Sequence, residues 1–345
     1  TFDFEPVDTT PPVVSIDDPL NGAVLSGLVD LTGYVVDNVA LSHYNLSLYP
    51  GTTDLSDGET NSGERLNDNS WCVVPTSGTV NLIADFFGDF CTDWDTTAYA
   101  DGEYQIRLAA RDAEGNRDIS TPFTGDDSSV HVIRVTIDNT APDASNVSPA
   151  DGTVVNGASL TQEWSSTASD VDFFEYESYN DAAGTSLRWA RSYSSTSKTA
   201  TNVGEADFWW RVRAVDFAGN KGPWTDLWKI TVDNTAPDVD ITAPADGDVL
   251  AGTVDVRGSV EDANPWRYYT VVKDSSGSRV AGPGTVYRAD SFTDEVLFSL
   301  DTTTLPDGDY TIELAARDLA ENRDNSVSQM IISVTIDNAK PTAAI

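Results

Sequence analysis

Apolar and polar residues alternate along most of the chain. Residues 254–260 read Val-Asp-Val-Arg-Gly-Ser-Val, and residues 104–110 read Tyr-Gln-Ile-Arg-Leu-Ala-Ala. Because successive side chains of a strand point to opposite faces, a period of two predicts strands with one buried face. No stretch of helical periodicity exceeds a turn or two, so the pattern predicts an all-β fold.

A linker motif recurs four times along the sequence. Its copies begin at Asp8, Asp138, Asp233 and Asp337, at spacings of 130, 95 and 104 residues. The first three copies are each followed by a proline at the eleventh position and a glycine at the nineteenth. A β-sandwich takes about 100 residues, so each repeat is the size of one sandwich.

The repeats define the predicted domains. Three sandwiches are expected at 8–137, 138–232 and 233–336, and the first carries a long insertion at about 51–93. Residues 1–7 are predicted to form a lead strand. Residues 337–345 are the start of a fourth repeat or a terminal exchange strand. Either the chain is a piece of a longer array, or a terminal strand pairs into another copy of the chain by strand addition.

The motifs inside the repeats resemble bacterial immunoglobulin-like and fibronectin type III-like repeats. Repeats one and three share Asp-Thr-Thr followed by Asp-Gly-x-Tyr, at residues 95–104 and 301–310. Repeat two has the fibronectin-like stretch 208–216, Phe-Trp-Trp-Arg-Val-Arg-Ala-Val-Asp. The resemblance implies three tandem immunoglobulin-like β-sandwich domains arranged end to end. It also implies an extracellular or cell-surface location, since such repeats occur in surface adhesins and in secreted hydrolases.

The composition is strongly acidic. The 345 residues include 56 acidic and 20 basic side chains, for a formal net charge of -36. Such a field repels nucleic acid and anionic membrane surfaces and attracts cations. No apolar run approaches the ~20 residues needed to span a bilayer, so no membrane insertion is expected. The acidity serves either solubility or the binding of divalent metal ions.

The only two cysteines, Cys72 and Cys91, lie in the predicted insertion. A local disulfide between them is predicted for an oxidising compartment, and two buried free thiols are the alternative.

Aspartates and asparagines occupy three equivalent positions in the repeats. These are the linker, the loop after the second strand and the last hairpin, which lie at one end of an immunoglobulin-type sandwich. The first predicted group is Asp8, Asp37, Asp112 and Asn116; the second is Asp138, Asn139, Asp170, Asp216 and Asn220; the third is Asp233, Asn234, Asp262, Asp318 and Asn322.

Carboxylates that converge repel one another unless a cation neutralises them. Calcium takes six to eight oxygen ligands with loose geometry and suits such a group better than magnesium. The sequence therefore predicts Ca²⁺ at the linkers, where it would stiffen the chain. The alternative is that these residues form turns without metal.

Aromatic residues are concentrated in repeat two. Adjacent strand residues face opposite sides, so one of Trp209 and Trp210 must face outward. An outward tryptophan is a candidate for stacking on a surface glycan, or is covered by neighbouring side chains.

No catalytic constellation can be assembled from the sequence. His43 and His131 lie far apart in non-equivalent places, and no serine, histidine and aspartate set forms around them. We therefore expect a non-catalytic structural or adhesive surface protein, as a rod, stalk or filament segment. Its expected partners are other repeats or copies of itself. The alternative function is an accessory carbohydrate-binding or spacer region of a secreted hydrolase.

Overall fold

The computed structural model describes residues 7–39, 41–51, 64–65, 86–118, 126–127 and 129–340. Within these ranges the regular elements are strands, apart from two short 3₁₀ helices at Thr96–Ala98 and Thr302–Thr304. No helix in this part of the chain is long and apolar enough to cross a membrane. The predicted all-β fold is confirmed.

The first sandwich contains two sheets. Its strands are β1 (Val13–Asp18), β2 (Ala23–Leu25), β3 (Leu28–Val36), β4 (Leu41–Pro50), β5 (Glu64–Arg65), β6 (Phe86–Asp95), β7 (Gly102–Asp112), β8 (Asp126–Asp127) and β9 (Val130–Ile137). One sheet has the order β1-β3-β6. The other has the order β2-β9-β7-β4-β5, and β8 pairs with β9.

The second sandwich repeats this plan. Its strands are β10 (Ser145–Ser148), β11 (Thr153–Val155), β12 (Ser159–Ser165), β13 (Val171–Tyr179), β14 (Leu187–Tyr193), β15 (Ser197–Thr201), β16 (Ala206–Asp216) and β17 (Trp228–Val232). The sheet orders are β10-β12-β15 and β11-β17-β16-β13-β14.

The third sandwich has the same connectivity as the second. Its strands are β18 (Asp238–Ala243), β19 (Val249–Leu250), β20 (Thr253–Glu261), β21 (Pro265–Asp274), β22 (Arg279–Tyr287), β23 (Phe292–Asp301), β24 (Gly308–Asp318) and β25 (Gln329–Ile336). In every sandwich a short early strand pairs in parallel with the last strand: β2 with β9, β11 with β17 and β19 with β25. The chain therefore consists of three tandem immunoglobulin-like β-sandwiches.

The inward faces of the strands form the cores. In β12 buried and exposed residues alternate without exception, as the sequence pattern predicts. Large aromatic residues fill the first two cores, where Trp94, Trp164 and Trp210 are at most 2% exposed. The third core is built from aliphatic residues around Tyr268 and Phe292, whose rings meet edge to face.

The motif shared by repeats one and three builds the connection between their two sheets. The carboxylates of Asp95 and Asp301 each accept a hydrogen bond of 3.0 Å from the backbone N–H two residues later, which caps the 3₁₀ helix. Tyr104 then donates its hydroxyl to the carbonyl of Ala100, and Tyr310 donates to the equivalent residue. The motif shared by repeats one and three thus consists of residues that hold the connection between the two sheets in place.

The predicted insertion at about 51–93 differs from the structure at its end. Residues from Phe86 onward form β6, a sheet strand equivalent to β23 of the third sandwich, because they pair with β3. Cys91 lies on β6, whereas Cys72 lies outside the described residues. The disulfide therefore stays a prediction.

Contacts divide the chain into two compact units. The first contains Thr1–Asp143, Ser166–Phe173 and Ala214–Pro223. The second contains Ala144–Ser165, Phe174–Arg213 and Trp224–Ile345. Each cluster described below lies wholly within one unit.

Candidate metal centres

Carboxylates gather at three places in the described part of the chain. The groups are Asp8, Asp112 and Glu114; Asp138, Asp170 and Asp216; and Asp233, Asp262 and Asp318. In each group one carboxylate oxygen per residue lies within 4.8 Å of the others. In the second and third groups, the linker, loop and hairpin aspartates meet as the sequence predicts.

The hairpin aspartate is held by the turn that follows it. Asp216 is the last residue of β16, and its carbonyl accepts from the N–H of Gly219 at 3.1 Å. Asn220 donates its backbone N–H to Asp216 Oδ1 at 2.8 Å and its side-chain Nδ2 to Oδ2 at 2.9 Å. The same two bonds join Asn322 to Asp318 and Asn116 to Asp112. The turn therefore fixes the orientation of each carboxylate.

The hairpin asparagine also holds the linker backbone. Asn116, Asn220 and Asn322 donate Nδ2 to the carbonyl of the linker aspartate at 2.9, 2.7 and 2.9 Å. The Oδ1 of Asn220 accepts from Ser26, and that of Asn322 accepts from Asn156. These two predicted ligand oxygens are thus engaged with hydrogen-bond donors, and the asparagines position the linker.

Each linker aspartate binds the linker backbone with one carboxylate oxygen, and the Oδ2 of Asp233 also accepts from Asn264 Nδ2 at 2.7 Å. In each of the three groups the Oδ1 of Asp8, Asp138 or Asp233 accepts from the backbone N–H two residues later, at 2.9 to 3.2 Å. Asp8 is only 9% exposed, and its buried Oδ2 has no hydrogen-bond partner. A buried anionic oxygen without a partner is costly, and a cation would satisfy it.

The linker asparagines were predicted as ligands, and the structure gives them a different role. Asn139 accepts from the N–H of Gly27 at 3.2 Å and donates to the carbonyl of Thr96 at 3.0 Å. Asn234 accepts from the N–H of Gly157 at 2.8 Å and donates to the carbonyl of Val203 at 3.0 Å. Both amides are therefore directed at the preceding sandwich, away from the carboxylates of the following one.

The first cluster differs from the prediction in one member. Asp37 is not among its three converging carboxylates, and Glu114 takes part instead. Asp37 caps its own loop by accepting from the N–H of Val39 at 2.9 Å. Glu114 lies in the turn after Asp112, where repeats two and three have alanine. Comparison of the repeats therefore gave no signal for it.

The carboxylates of each cluster repel one another when they are ionised. Within the residues that the structure describes, none of the nine carboxylates forms an ion pair with lysine or arginine. Burial, followed by repulsion from Asp233 and Asp262, raises the pKa of Asp318 from 3.8 to about 6. Burial also raises the pKa of Asp262 and of Asp138. These buried acidic clusters have the oxygen-donor chemistry to hold a divalent metal ion.

The two adjacent tryptophans of β16 face opposite sides. Trp210 is fully buried and packs against Trp164 and Tyr176, with ring centroids 6.3 and 6.0 Å away. It is therefore removed as a candidate for glycan stacking. Trp209 is half-buried, and the ammonium group of Lys229 lies 5.7 Å from its ring centre. Trp209 is thus the outward member of the pair.

Comparisons with known proteins find only distant similarities to solved structures. No family model matches the sequence, and no curated protein matches it. Among solved structures, the fibronectin(III)-like modules of Clostridium thermocellum CbhA match with 16% identity over 56% of this chain and 93% of theirs, at a TM-score of 0.35. The FN1-FN3 domains of chicken CNTN1 match with 16% identity over 93% of this chain and 98% of theirs, at 0.31.

A further match comes from an adhesion protein. The tetra-tandem repeat in the extending region of a large adhesion protein is 18% identical and covers 96% of this chain and 75% of its own, at a TM-score of 0.30. The structural matches thus include the fibronectin III-like and adhesin repeats that the sequence resembles. At these identities and scores they carry no argument about function.

Proposed function

We propose that this chain is a non-catalytic structural or adhesive segment of an extracellular surface protein. Calcium bound at the linker aspartates fixes each linker to the sandwich that follows it. The observation that carries this proposal is that two adjacent linker residues contact different sandwiches. Asp138 converges with Asp170 and Asp216, whereas Asn139 is hydrogen-bonded to residues 27 and 96.

The two adjacent residues of the next linker also contact different sandwiches. Asp233 belongs to the third carboxylate cluster, and Asn234 bonds to Gly157 and Val203. The asparagine of each linker is therefore bonded to the preceding sandwich, and the neighbouring aspartate belongs to the cluster of the following sandwich. A cation bound in that cluster would hold the aspartate in place and restrict the linker at both residues.

The charges favour a bound cation. Three carboxylates within 4.8 Å carry up to three negative charges, and their mutual repulsion rises as they are buried. A divalent ion reverses the sign of these interactions. Calcium is preferred to magnesium because carboxylates and carbonyls held by protein turns suit its loose coordination, whereas magnesium retains water and demands octahedral geometry.

Thermal unfolding of the intact chain tests the proposal. It is measured in EDTA, in millimolar calcium, and in magnesium and sodium chloride at matched ionic strength. Calcium at ~100 times its dissociation constant would add ~2.7 kcal/mol to each occupied unit. For a domain of about 100 residues this raises the unfolding midpoint by on the order of 10 °C. Limited proteolysis at residues 138–142 and 233–237 reports linker rigidity in the same buffers.

Matched variants separate metal binding from general acidity. Asp216→Asn and Asp318→Asn each remove one charge from a cluster. Asp172→Asn and Asp238→Asn each remove one charge from an exposed position outside the clusters. The proposal expects the calcium response to fall in the first pair only. Equal effects of calcium and the salt controls, or equal loss in both pairs, would contradict it.

A second candidate function is the accessory region of a secreted hydrolase. The observation in its favour is the concentration of aromatic side chains in the second sandwich, where Trp189 is 53% exposed. Loss of glycan binding in a Trp209→Ala or Trp189→Ala variant would support this candidate. Absence of any glycan ligand for the intact chain would favour the structural role.

A further inference from the structure

The second sandwich has a cleft that the metal clusters do not explain. It lies where the edge strands β14 and β15 of the two sheets follow one another in the chain. Its volume is about 250 Å³. Aromatic and cationic side chains dominate its lining: Tyr176, Arg188, Trp189, Arg191, Lys198 and Phe208.

The cations of this cleft rest on aromatic rings. Lys198 Nζ lies 4.3 Å from the ring centre of Tyr176, and Arg188 lies 5.1 Å from that of Phe208. Arg191 lies 5.3 Å from the ring centre of Trp189. The contacts place three positive charges around one apolar surface.

These three cations have no carboxylate partner among the described residues. Arg188, Arg191 and Lys198 form no ion pair, although the chain has 56 acidic side chains and only 20 basic ones. Burial and then the charges of Arg188 and Arg191 lower the pKa of Lys198. Like charges that lie close together repel one another unless an anion neutralises them.

The third sandwich shows the ordinary arrangement at the equivalent edge. Arg288, between β22 and β23, lies 4.3 Å from the ring of Phe292. Its guanidinium group forms ion pairs of 2.8 Å with both Asp290 and Glu295. The cation at this edge is therefore neutralised within the chain, whereas those of the second sandwich are not.

A further donor lines the cleft without an acceptor. Gln162 is 2% exposed, and its Oε1 accepts from the hydroxyl of Tyr176 at 3.2 Å. Its buried Nε2 has no hydrogen-bond partner. The unpaired polar groups that we identify in the cleft, Gln162 Nε2 and the three cations, are thus all hydrogen-bond donors. An acceptor that carries negative charge would satisfy them.

We propose that this cleft binds a carboxylate carried on a single ring. The guanidinium and ammonium groups would pair with the carboxylate, and the aromatic walls would stack on the ring. Drug-sized ligands occupy pockets of about 300–1,000 Å³, so a cleft of this size suits one ring. A uronate residue of an acidic polysaccharide and a free aromatic acid share this chemistry. The site is independent of the linker clusters and of calcium.

Isothermal titration of the intact chain, in calcium-free buffer because uronate carboxylates themselves bind calcium, tests the proposal with three probes. An oligogalacturonate represents the polysaccharide, its fully methyl-esterified form is the neutral control, and benzoate represents the free aromatic acid. We expect saturable binding of at least one anion, weakened by added salt, and no binding of the ester. Oligogalacturonate binding identifies the polysaccharide source, and binding of benzoate alone identifies the free acid.

Variants locate the site. The double substitution Arg188→Gln and Lys198→Gln should weaken binding tenfold or more, and Trp189→Ala should weaken it without disturbing the core because that side chain is 53% exposed. Arg279→Gln removes a charge from the equivalent edge strand β22 and should leave binding unchanged. Absence of binding by both anions, equal binding of the ester, or equal loss in the Arg279→Gln variant would overturn the proposal.

Discussion

Substitution of Asp318 by asparagine should change stability in opposite directions with and without calcium. Asp318 is fully buried, and its carboxylate accepts two hydrogen bonds from Asn322. It converges with Asp233 and Asp262. Asparagine removes the charge and leaves the shape of the side chain almost unchanged.

The magnitude follows from the raised pKa. A rise from 3.8 to about 6 corresponds to roughly 3 kcal/mol of unfavourable free energy for the ionised carboxylate at pH 7. The D318N variant lacks this unfavourable ionisation free energy but loses the hydrogen bond from Asn322 Nδ2, which costs about 1 kcal/mol. In EDTA the variant should therefore be more stable by about 2 kcal/mol. Calcium at ~1,000 times its dissociation constant would add ~4 kcal/mol to the wild type only, which makes the variant less stable by about 2 kcal/mol.

The same pKa sets the pH dependence. Because the folded pKa lies above the unfolded one, the folded state holds a proton that the unfolded state has lost between pH 3.8 and about 6. Stability from this group is present below pH 3.8 and is lost as the pH rises through about 6. In EDTA the wild type should therefore lose stability relative to D318N between about pH 4 and pH 7.

Hydrogen exchange measured by mass spectrometry provides the assay, because it reports local opening of one sandwich in the intact chain. Protection factors in β24 and β25 are compared for the wild type and D318N in EDTA and in calcium. The D238N variant serves as the control because Asp238 is exposed and lies outside the cluster. Equal destabilisation by D318N in both buffers would refute the reasoning, since Asp318 would then act only as a turn residue.

Three further predictions address the linker, the core and a close backbone approach. Asn234→Ala should speed proteolysis at the linker 233–237 while leaving calcium affinity, measured by titration, unchanged; weaker calcium binding would instead identify this amide as a ligand. Trp210→Ala should cost about 3–5 kcal/mol and Trp209→Ala about 1 kcal/mol or less in scanning calorimetry, because only the first is fully buried; equal losses would contradict the assigned faces. Gly157→Ala should destabilise the second sandwich by at least about 1 kcal/mol in urea, because its Cβ would lie 2.0 Å from the carbonyl oxygen of Val203; a neutral effect would contradict this packing.

The fold was predictable because two independent patterns agree on it. Period-two alternation identifies strands such as β20 locally, and the linker repeat sets the size of each unit. The Asp-Thr-Thr and Asp-Gly-x-Tyr motifs add the crossover, since they require a capped turn and a tyrosine hydroxyl bond. These features depend on backbone geometry within short segments, which sequence comparison between repeats detects well.

The membership of the clusters was only partly predictable. Asp170 and Asp262 join the linker and hairpin aspartates as equivalent repeat positions predict, but Asp37 does not. The repeats also give no direction for a linker side chain. Asp138 and Asn139 are adjacent and both polar, yet they face successive sandwiches. Successive side chains of an extended linker point to opposite sides.

The cleft of the second sandwich could not be predicted from the sequence. Arg188, Arg191 and Lys198 look like ordinary polar residues of two edge strands. Their significance lies in the absence of a partner carboxylate among the residues that the structure describes, which depends on the packing of the two sheets. Arg288, in the connection between β22 and β23, is by contrast paired with Asp290 and Glu295.

Calcium titration of the intact chain by isothermal calorimetry tests the central claim most directly. The account predicts saturable, calcium-specific binding at three clusters, with one site lost in Asp216→Asn and another in Asp318→Asn. Magnesium at the same concentration should produce little of this heat. A calcium response that matches the ionic-strength control, and that neither substitution changes, would contradict the account.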